Sequence, residues 1–174
     1  MIDTKEEFEK MQTILHTISP IYDKKSKILI LGSFPSVKSR ETQFFYGHKQ
    51  NRFWQVLALL LNEKIPETTD GKKQFLLQNK IALWDVVKSC TISGSSDSTI
   101  KNVVPNDIGQ ILHTADISQI FTNGGTADKL YKKHIYPQTG RTALKLPSTS
   151  PANASFKLER LLSEWNVILN YLNE

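Results

Sequence analysis

The sequence predicts an α/β protein, a three-layer α/β/α sandwich with a four-stranded, mostly parallel central sheet, formed by one domain over residues 1–174. Two observations carry that expectation. Four short apolar runs, at 27–32, 81–86, 117–122 and 142–146, alternate with stretches whose apolar residues recur at helical spacing. Strands that alternate with helices need crossover connections and a sheet covered on both faces. The first run, Lys27-Ile-Leu-Ile-Leu-Gly32, is apolar without alternation and ends in glycine, as a strand buried on both faces does.

The elements follow in order. Residues 4–18 form an amphipathic helix in this reading: Thr4 or Asp3 caps it, Glu6 and Glu7 sit at its positive end, and Phe8, Met11, Ile14 and Leu15 share a face. Ser19-Pro20 stops it, because the residue before a proline is pushed out of the helical region. After the 27–32 strand, Phe53, Val56, Leu57, Leu60 and Leu61 make a helical stripe. A helix near 70–79 leads to the strand Ile81–Val86, and Pro105 suits the first residue of a helix to about 114. The strand Ile117–Thr122, the helix Thr126–Tyr136, the strand Thr142–Leu146 and a helical segment Ser155–Leu172 complete the chain. In such sheets ligands bind outside the carboxyl ends of the strands, which directs attention to the loops 33–52, 85–103, 122–126 and 147–153.

Composition excludes several classes. A chain of 174 residues buries about 70% of its unfolded surface on folding, enough for a core without staples. Hydrophobic residues at 39%, charged residues at 22%, 8 Gly and 7 Pro exclude collagen, low complexity and wholesale disorder. No apolar run approaches the roughly 20 residues that span a bilayer, and the charged start MIDTKEEFEKMQ lacks the apolar stretch of a signal peptide. A cytoplasmic protein is expected. The single Cys90 excludes an intrachain disulfide and a cysteine-rich metal site, and His16, His48, His113 and His134 lack metal-ligand spacing. No metal and no cofactor are expected. The net charge of +5 is a mild pointer to phosphate-bearing partners.

The 33–52 loop is long and aromatic, carrying Phe34, Phe44, Phe45 and Tyr46 among Lys38, Arg40, Lys49 and Arg52. Stacking on a base beside a phosphate backbone needs that mixture, although any single aromatic there equally reads as core. The last loop, Leu146-Pro-Ser-Thr-Ser-Pro-Ala-Asn153, enters a helix; it suits an anion at a helix start, and taken alone a plain cap is the better reading.

With GSFPS after the first strand, then YGHKQNRFW, then LPSTSPAN after the last strand, the chain resembles the uracil-DNA glycosylase superfamily, most closely its hypoxanthine-DNA (deoxyinosine) glycosylase branch. The resemblance implies a four-stranded parallel α/β/α sandwich. It also implies hydrolysis of the N-glycosidic bond of a deaminated base (hypoxanthine first, uracil second) flipped out of DNA, without a cofactor, by a monomer. Many superfamily members carry Asn or Asp where Phe34 stands, His or Asn where Ser148 stands, and a bulky wedge where Ala152 stands. The important asparagine of the hypoxanthine branch matches Asn51, so Asn51 and Ser148 become the catalytic candidates.

Roles for the other residues follow from leaving-group chemistry, in which the departing base gains negative charge. Asn51 offers donor and acceptor atoms, to hold water or to bond the base; a helix cap is an equal alternative. Tyr46 is the expected stacking floor, Phe34 a second wall, and His48 a contact to base or phosphate. Asp85 is the expected acceptor for hypoxanthine N1–H or uracil N3–H, with a cap or ion pair as its alternative. Ser36, Lys38, Arg40, Arg52, Gly124, Thr149, Ser150 and Asn153 are the expected DNA contacts. The polar run Ser93, Ser95, Ser96 and Asp97 either touches DNA or only turns the chain. A competing function is a non-catalytic DNA- or nucleotide-binding module that keeps the fold. A serine hydrolase using Ser33 or Ser36 with His48 lacks the G-x-S-x-G elbow, and GSFPS is not a dinucleotide fingerprint.

Overall fold

The computed structural model describes residues 13–173. Its centre is a parallel sheet in the order β3-β2-β6-β7, formed by β2 (Ile28–Gly32), β3 (Ile81–Asp85), β6 (Gln119–Asn123) and β7 (Ala143–Leu146). Every residue of β2 and β3 is buried, which is why their sequences run apolar without alternation. The register pairs Gly32 with Asp85 and Asn123 with Leu146, so four strand ends open on one edge. The helices α1 (Val37–Thr42), α2 (Phe53–Leu60), α3 (Thr69–Gln78), α4 (Gly109–Thr114), α5 (Gly125–Leu130), α6 (Tyr136–Thr139), α7 (Leu158–Trp165) and α8 (Ile168–Leu172) flank the sheet. Together they make the expected α/β/α sandwich. No helix among the described residues is long and apolar enough to cross a membrane.

A second, antiparallel sheet was not expected. It has the order β1-β4-β5, with β1 (Thr13–Leu15), β4 (Val87–Thr91) and β5 (Lys101–Pro105). It corrects two expectations. Thr13–Leu15 is a strand rather than the end of a helix: β-branched Thr13, Ile14, Thr17 and Ile18 are poor helix residues, and Ile14 pairs with Cys90 of β4. The proposed residues 4–12 of that helix lie outside the described residues. Pro105 ends β5 instead of opening a helix; it lies on an edge strand, where a missing N–H is tolerated.

Smaller differences have local causes. Ser36 caps α1 by accepting from the Ser39 amide, so the 33–52 loop contains a short helix. The segment from Gly125 to Thr139 passes through a π-helical turn at Tyr131–Ile135. The C-terminal helix breaks between Trp165 and Ile168.

Two features tie the outer layers to the strand ends. The segment after β1 runs beside β3, with Ile21 bridging Leu83 and the Trp84 indole donating to the Ile18 carbonyl at 3.2 Å. On α7, fully buried Trp165 packs edge-on against Phe53, and its Nε1 donates to the Pro147 carbonyl at 2.9 Å. Trp165→Phe keeps an aromatic ring but leaves a small void and orphans that carbonyl, so urea denaturation should show a loss of at least about 1–3 kcal/mol. Unchanged stability would show that the indole bond does not hold the 147–153 loop.

Candidate active site

At the carboxyl edge of the sheet lies a cleft of about 580 Å³, lined by Tyr46, His48, Asn51, Asp85, Asp97 and Ser36 among others. A second hollow of about 540 Å³ adjoins it, lined by Asn123, Gly124, Ser148 and Asn153. Asp97, Ser150 and Ala152 border both and so form the ridge between them.

Tyr46 sits in a left-handed backbone conformation (φ 51°). One ring face stacks on Phe53, with centroids 4.0 Å apart and planes 22° apart. Its hydroxyl accepts from Asn123 Nδ2 at 3.1 Å. Burial, reinforced by the negative charge of Asp85, pushes the phenol pKa well up, so the hydroxyl keeps its proton. Phe45 is buried yet borders the cleft beside it.

Asp85 ends β3 and is buried. Its Oδ2 lies 2.7 Å from His16 Nε2. The Ile18 amide donates to His16 Nδ1 at 3.2 Å, so Nδ1 is the acceptor nitrogen and Nε2 carries the hydrogen that points at Asp85. Asn106, also buried, donates to the Asp85 and Val87 carbonyls. Side chain and backbone of Asp85 are thus both held. Gly32 faces this carboxylate across the parallel pair: a Cβ there would lie 2.3 Å from Asp85 Oδ1 and 3.0 Å from the Tyr46 hydroxyl. The glycine that ends the first strand is therefore a space requirement of the site.

Asn51 is oriented by two donors. Its Oδ1 accepts from the Phe53 amide at 3.0 Å and from Thr149 Oγ1 at 2.8 Å. An amide N–H only donates, which fixes the flip of the side chain. Both lone pairs of Oδ1 are occupied, and Nδ2, which has no partner among the described residues, is left for the cleft. Thr149 is fully buried; its Oγ1 accepts from Asn123 Nδ2 at 3.0 Å and its amide donates to Asn123 Oδ1 at 3.1 Å. One relay thus joins Tyr46, Asn123, Thr149 and Asn51.

Comparison with known proteins follows the same lines. The model of the Uracil DNA glycosylase superfamily matches residues 19–170. This chain belongs to that superfamily. It is 32% identical over 152 residues to a protein named hypoxanthine DNA glycosylase from Methanosarcina acetivorans, covering 87% of this chain and 95% of that one. It is 29% identical over 139 residues to a protein of the same name from Methanosarcina barkeri, covering 79% and 88%. The solution NMR structure of a candidate uracil DNA glycosylase from Methanosarcina acetivorans superposes with a TM-score of 0.77 at 32% identity, covering 90% of this chain and 97% of that one.

Within this superfamily member, the expected site residues fall into three groups. Tyr46, His48, Asn51, Asp85 and Ser36 meet at the first cleft. Phe34 does not border it: buried, it meets His16 edge-on at 6.0 Å and lies under the Arg40 guanidinium. Ser148 borders only the second hollow, its Oγ accepting from the Ser150 amide. Gly124 lies against it in a backbone conformation that favours glycine (φ 100°), where a Cβ would come within 3.0 Å of Ser148 Cβ.

The basic residues divide as well. Arg52 donates to the carbonyls of Ser150 and Asn153, each at 3.1 Å, and to that of Phe156, so it clamps the last loop. Arg40 donates to the Gly94 carbonyl at 2.8 Å and ties α1 to the 93–99 turn. Asn153 Nδ2 donates to the Ser148 carbonyl, and Ser150 Oγ accepts from the Ala152 amide. Lys38 and Lys49 are exposed. Three residues with parts in the site were not singled out from the sequence: His16, Asn123 as a side chain, and Asp97 as a cleft carboxylate. Asn123, at a strand end, carried a positional signal, and so did Asp97, in the polar 93–97 run of a loop that the strand-end rule marks.

Gly32→Ala should displace the Asp85 carboxylate from His16. The expected result is a destabilised protein whose His16 Nε2–H signal in NMR is lost or broadened; an unaltered signal would show that the carboxylate has room to spare.

Proposed function

We propose that the protein is a DNA glycosylase that hydrolyses the N-glycosidic bond of a deaminated base flipped out of DNA, hypoxanthine before uracil, leaving an abasic site. The observation that carries this reading is the pairing, in one cleft, of an outward donor, Asn51 Nδ2, with a fixed acceptor, Asp85, beside the Tyr46 ring. A base inside the duplex exposes neither its edge nor its glycosidic bond, so it must leave the stack. Once in the cleft, its ring covers the free face of Tyr46. Asp85, kept in place by His16, accepts the N1–H of hypoxanthine or the N3–H of uracil.

As the glycosidic bond breaks, negative charge collects on the base, and a preorganised donor there lowers the barrier. Asn51 suits that task through Nδ2. Its occupied Oδ1 argues against the other task, holding the attacking water by accepting its hydrogen bond. The helix-cap alternative and the chemical role are both served, by different atoms of one amide. The names of the Methanosarcina relatives support hypoxanthine as first substrate. The exposed Lys38 and Lys49, with the polar groups of the 147–153 loop, are our assignment for the DNA backbone. We assign Ser148 a DNA contact at the second hollow, since it does not reach the cleft of Asn51. The enzyme works, in this account, as a cytoplasmic monomer without metal or cofactor.

Oligonucleotides bearing hypoxanthine, uracil, xanthine or an alkylated base, incubated in excess EDTA and then cleaved with alkali at abasic sites, test the reading. Release of hypoxanthine is expected; an uncleaved panel would favour a binding module. Asn51→Asp keeps an oxygen for Phe53 and Thr149 but replaces the donor by an anion. It should fold normally and lose about 10²–10³ in single-turnover rate. Full activity in that variant would defeat the donor role.

A further inference from the structure

The cleft holds a carboxylate that the scheme above leaves unused. Asp97 belongs to a 3₁₀ turn, Asp97–Thr99, in the connection between β4 and β5. Both its oxygens lie 3.0 Å from Ser33 Oγ, which donates to them. Ser33 directly follows Gly32 at the end of β2, and it is the residue just before Phe34. The hydrogen bond therefore ties a distant turn to the first strand end, beside the buried ring of Phe34.

Its placement in depth differs from that of Asp85. Asp85 lies at the bottom, with one oxygen on His16 and the other against Gly32, which suits a base edge. Asp97 borders both the cleft and the adjoining hollow. A nucleotide whose base fills the first and whose backbone follows the second crosses that ridge at its sugar. Asp85 and Asp97 are the two carboxylates that border the cleft, and of the two only Asp97 also borders the hollow.

We propose that Asp97, delivered by the β4–β5 turn and held by Ser33, is the catalytic residue that receives a proton from the attacking water. This rests on the glycosylase reading above. The C1′–N bond breaks with its electron pair going to the base, and the water oxygen forms the new bond to C1′. Asp97 takes one water proton and then gives it up as the base nitrogen is protonated, so the base leaves neutral and the carboxylate is regenerated. Burial of the Asp97 carboxyl end, added to by the charge of Asp85 and partly offset by the Ser33 bond, raises its pKa above the ordinary aspartate value. The residue's outer surface is open, as a turn residue's is. A raised pKa makes a carboxylate a better proton acceptor at neutral pH.

The charged and titratable groups around it are Arg40 of α1, Tyr46, Asp85 of β3 with its partner His16, and Cys90 of β4. With Asp97 as base, activity requires its ionised form, so the single-turnover rate of the wild type should rise with pH through the Asp97 pKa and then level off. Asp97→Asn retains an oxygen for Ser33 and removes a charge that burial penalises. Its melting temperature at pH 7 should equal or exceed that of the wild type.

The test is the single-turnover release of hypoxanthine from a deoxyinosine duplex by wild type and Asp97→Asn, across pH, with duplex affinity measured alongside. Expected are a rate loss of about 100-fold or more, unchanged affinity, and an acid limb altered from that of the wild type. Wild-type rates in Asp97→Asn, or a rate loss matched by lost affinity, or an acid limb identical to that of the wild type, would overturn the assignment while leaving the glycosylase reading intact. A wild type that releases no base from any lesion would overturn both.

Discussion

The side chain of Asn123 holds three segments together where the parallel strands end. Its Nδ2 donates to Tyr46 and to Thr149, while its Oδ1 accepts from the Thr149 amide. The loop after β2, the end of β6 and the loop after β7 therefore share one amide. Its position follows from topology. In the order β3-β2-β6-β7 the chain leaves β2 to one side for β3 and returns to the other side for β6, and the crevice that such a reversal opens is where α/β sheets place their ligands. A polar network in that crevice is stabilising only when it is satisfied, and no buried side-chain polar atom among the described residues lacks a partner.

The orientation of the reactive groups is inherited from this network. Thr149, fixed by Asn123, donates to Asn51 Oδ1 and so turns Asn51 Nδ2 outward. Arg52, the next residue, fastens the same loop by its carbonyls, and Trp165 fastens its first residue from behind. On the other wall, His16 comes from the antiparallel sheet to fix Asp85. That sheet is thus part of the site: β1 leads into His16, and the β4–β5 connection carries Asp97. The cleft gathers the amide of Asn51 and the carboxylates of Asp85 and Asp97, the groups on which the proposed reaction draws.

The parallel sheet was legible because its signals are local. Unbroken apolar runs for β2 and β3 and the stripe from Phe53 to Leu61 need no tertiary knowledge, and the strand-end rule then led to the loop of Tyr46 and to Asp85, while Asn51 came from the family resemblance. The antiparallel sheet was not legible. Its strands have three to five residues, contain Ser, Thr and Lys, and exist because they pair. His16 and Asp97 ride on those strands and turns: His16 gave no sign of its part, and Asp97 stood out only as one of a polar run that either touches DNA or turns the chain. Arg52 and Arg40 show another limit: a basic residue in a loop at the strand ends reads as a phosphate contact, whereas these two donate to carbonyls, which no composition reveals.

The central claim is that Thr149 works through Asn51, by turning its amide. A double-mutant cycle measures that directly. Single-turnover rates of hypoxanthine release are compared for wild type, Thr149→Val, Asn51→Ala and the double variant, with folding stability followed in parallel. Thr149→Val should slow the wild-type background and have little further effect once Asn51 is alanine. Equal, additive slowing in both backgrounds would contradict the account, because Thr149 would then act on the reaction without Asn51.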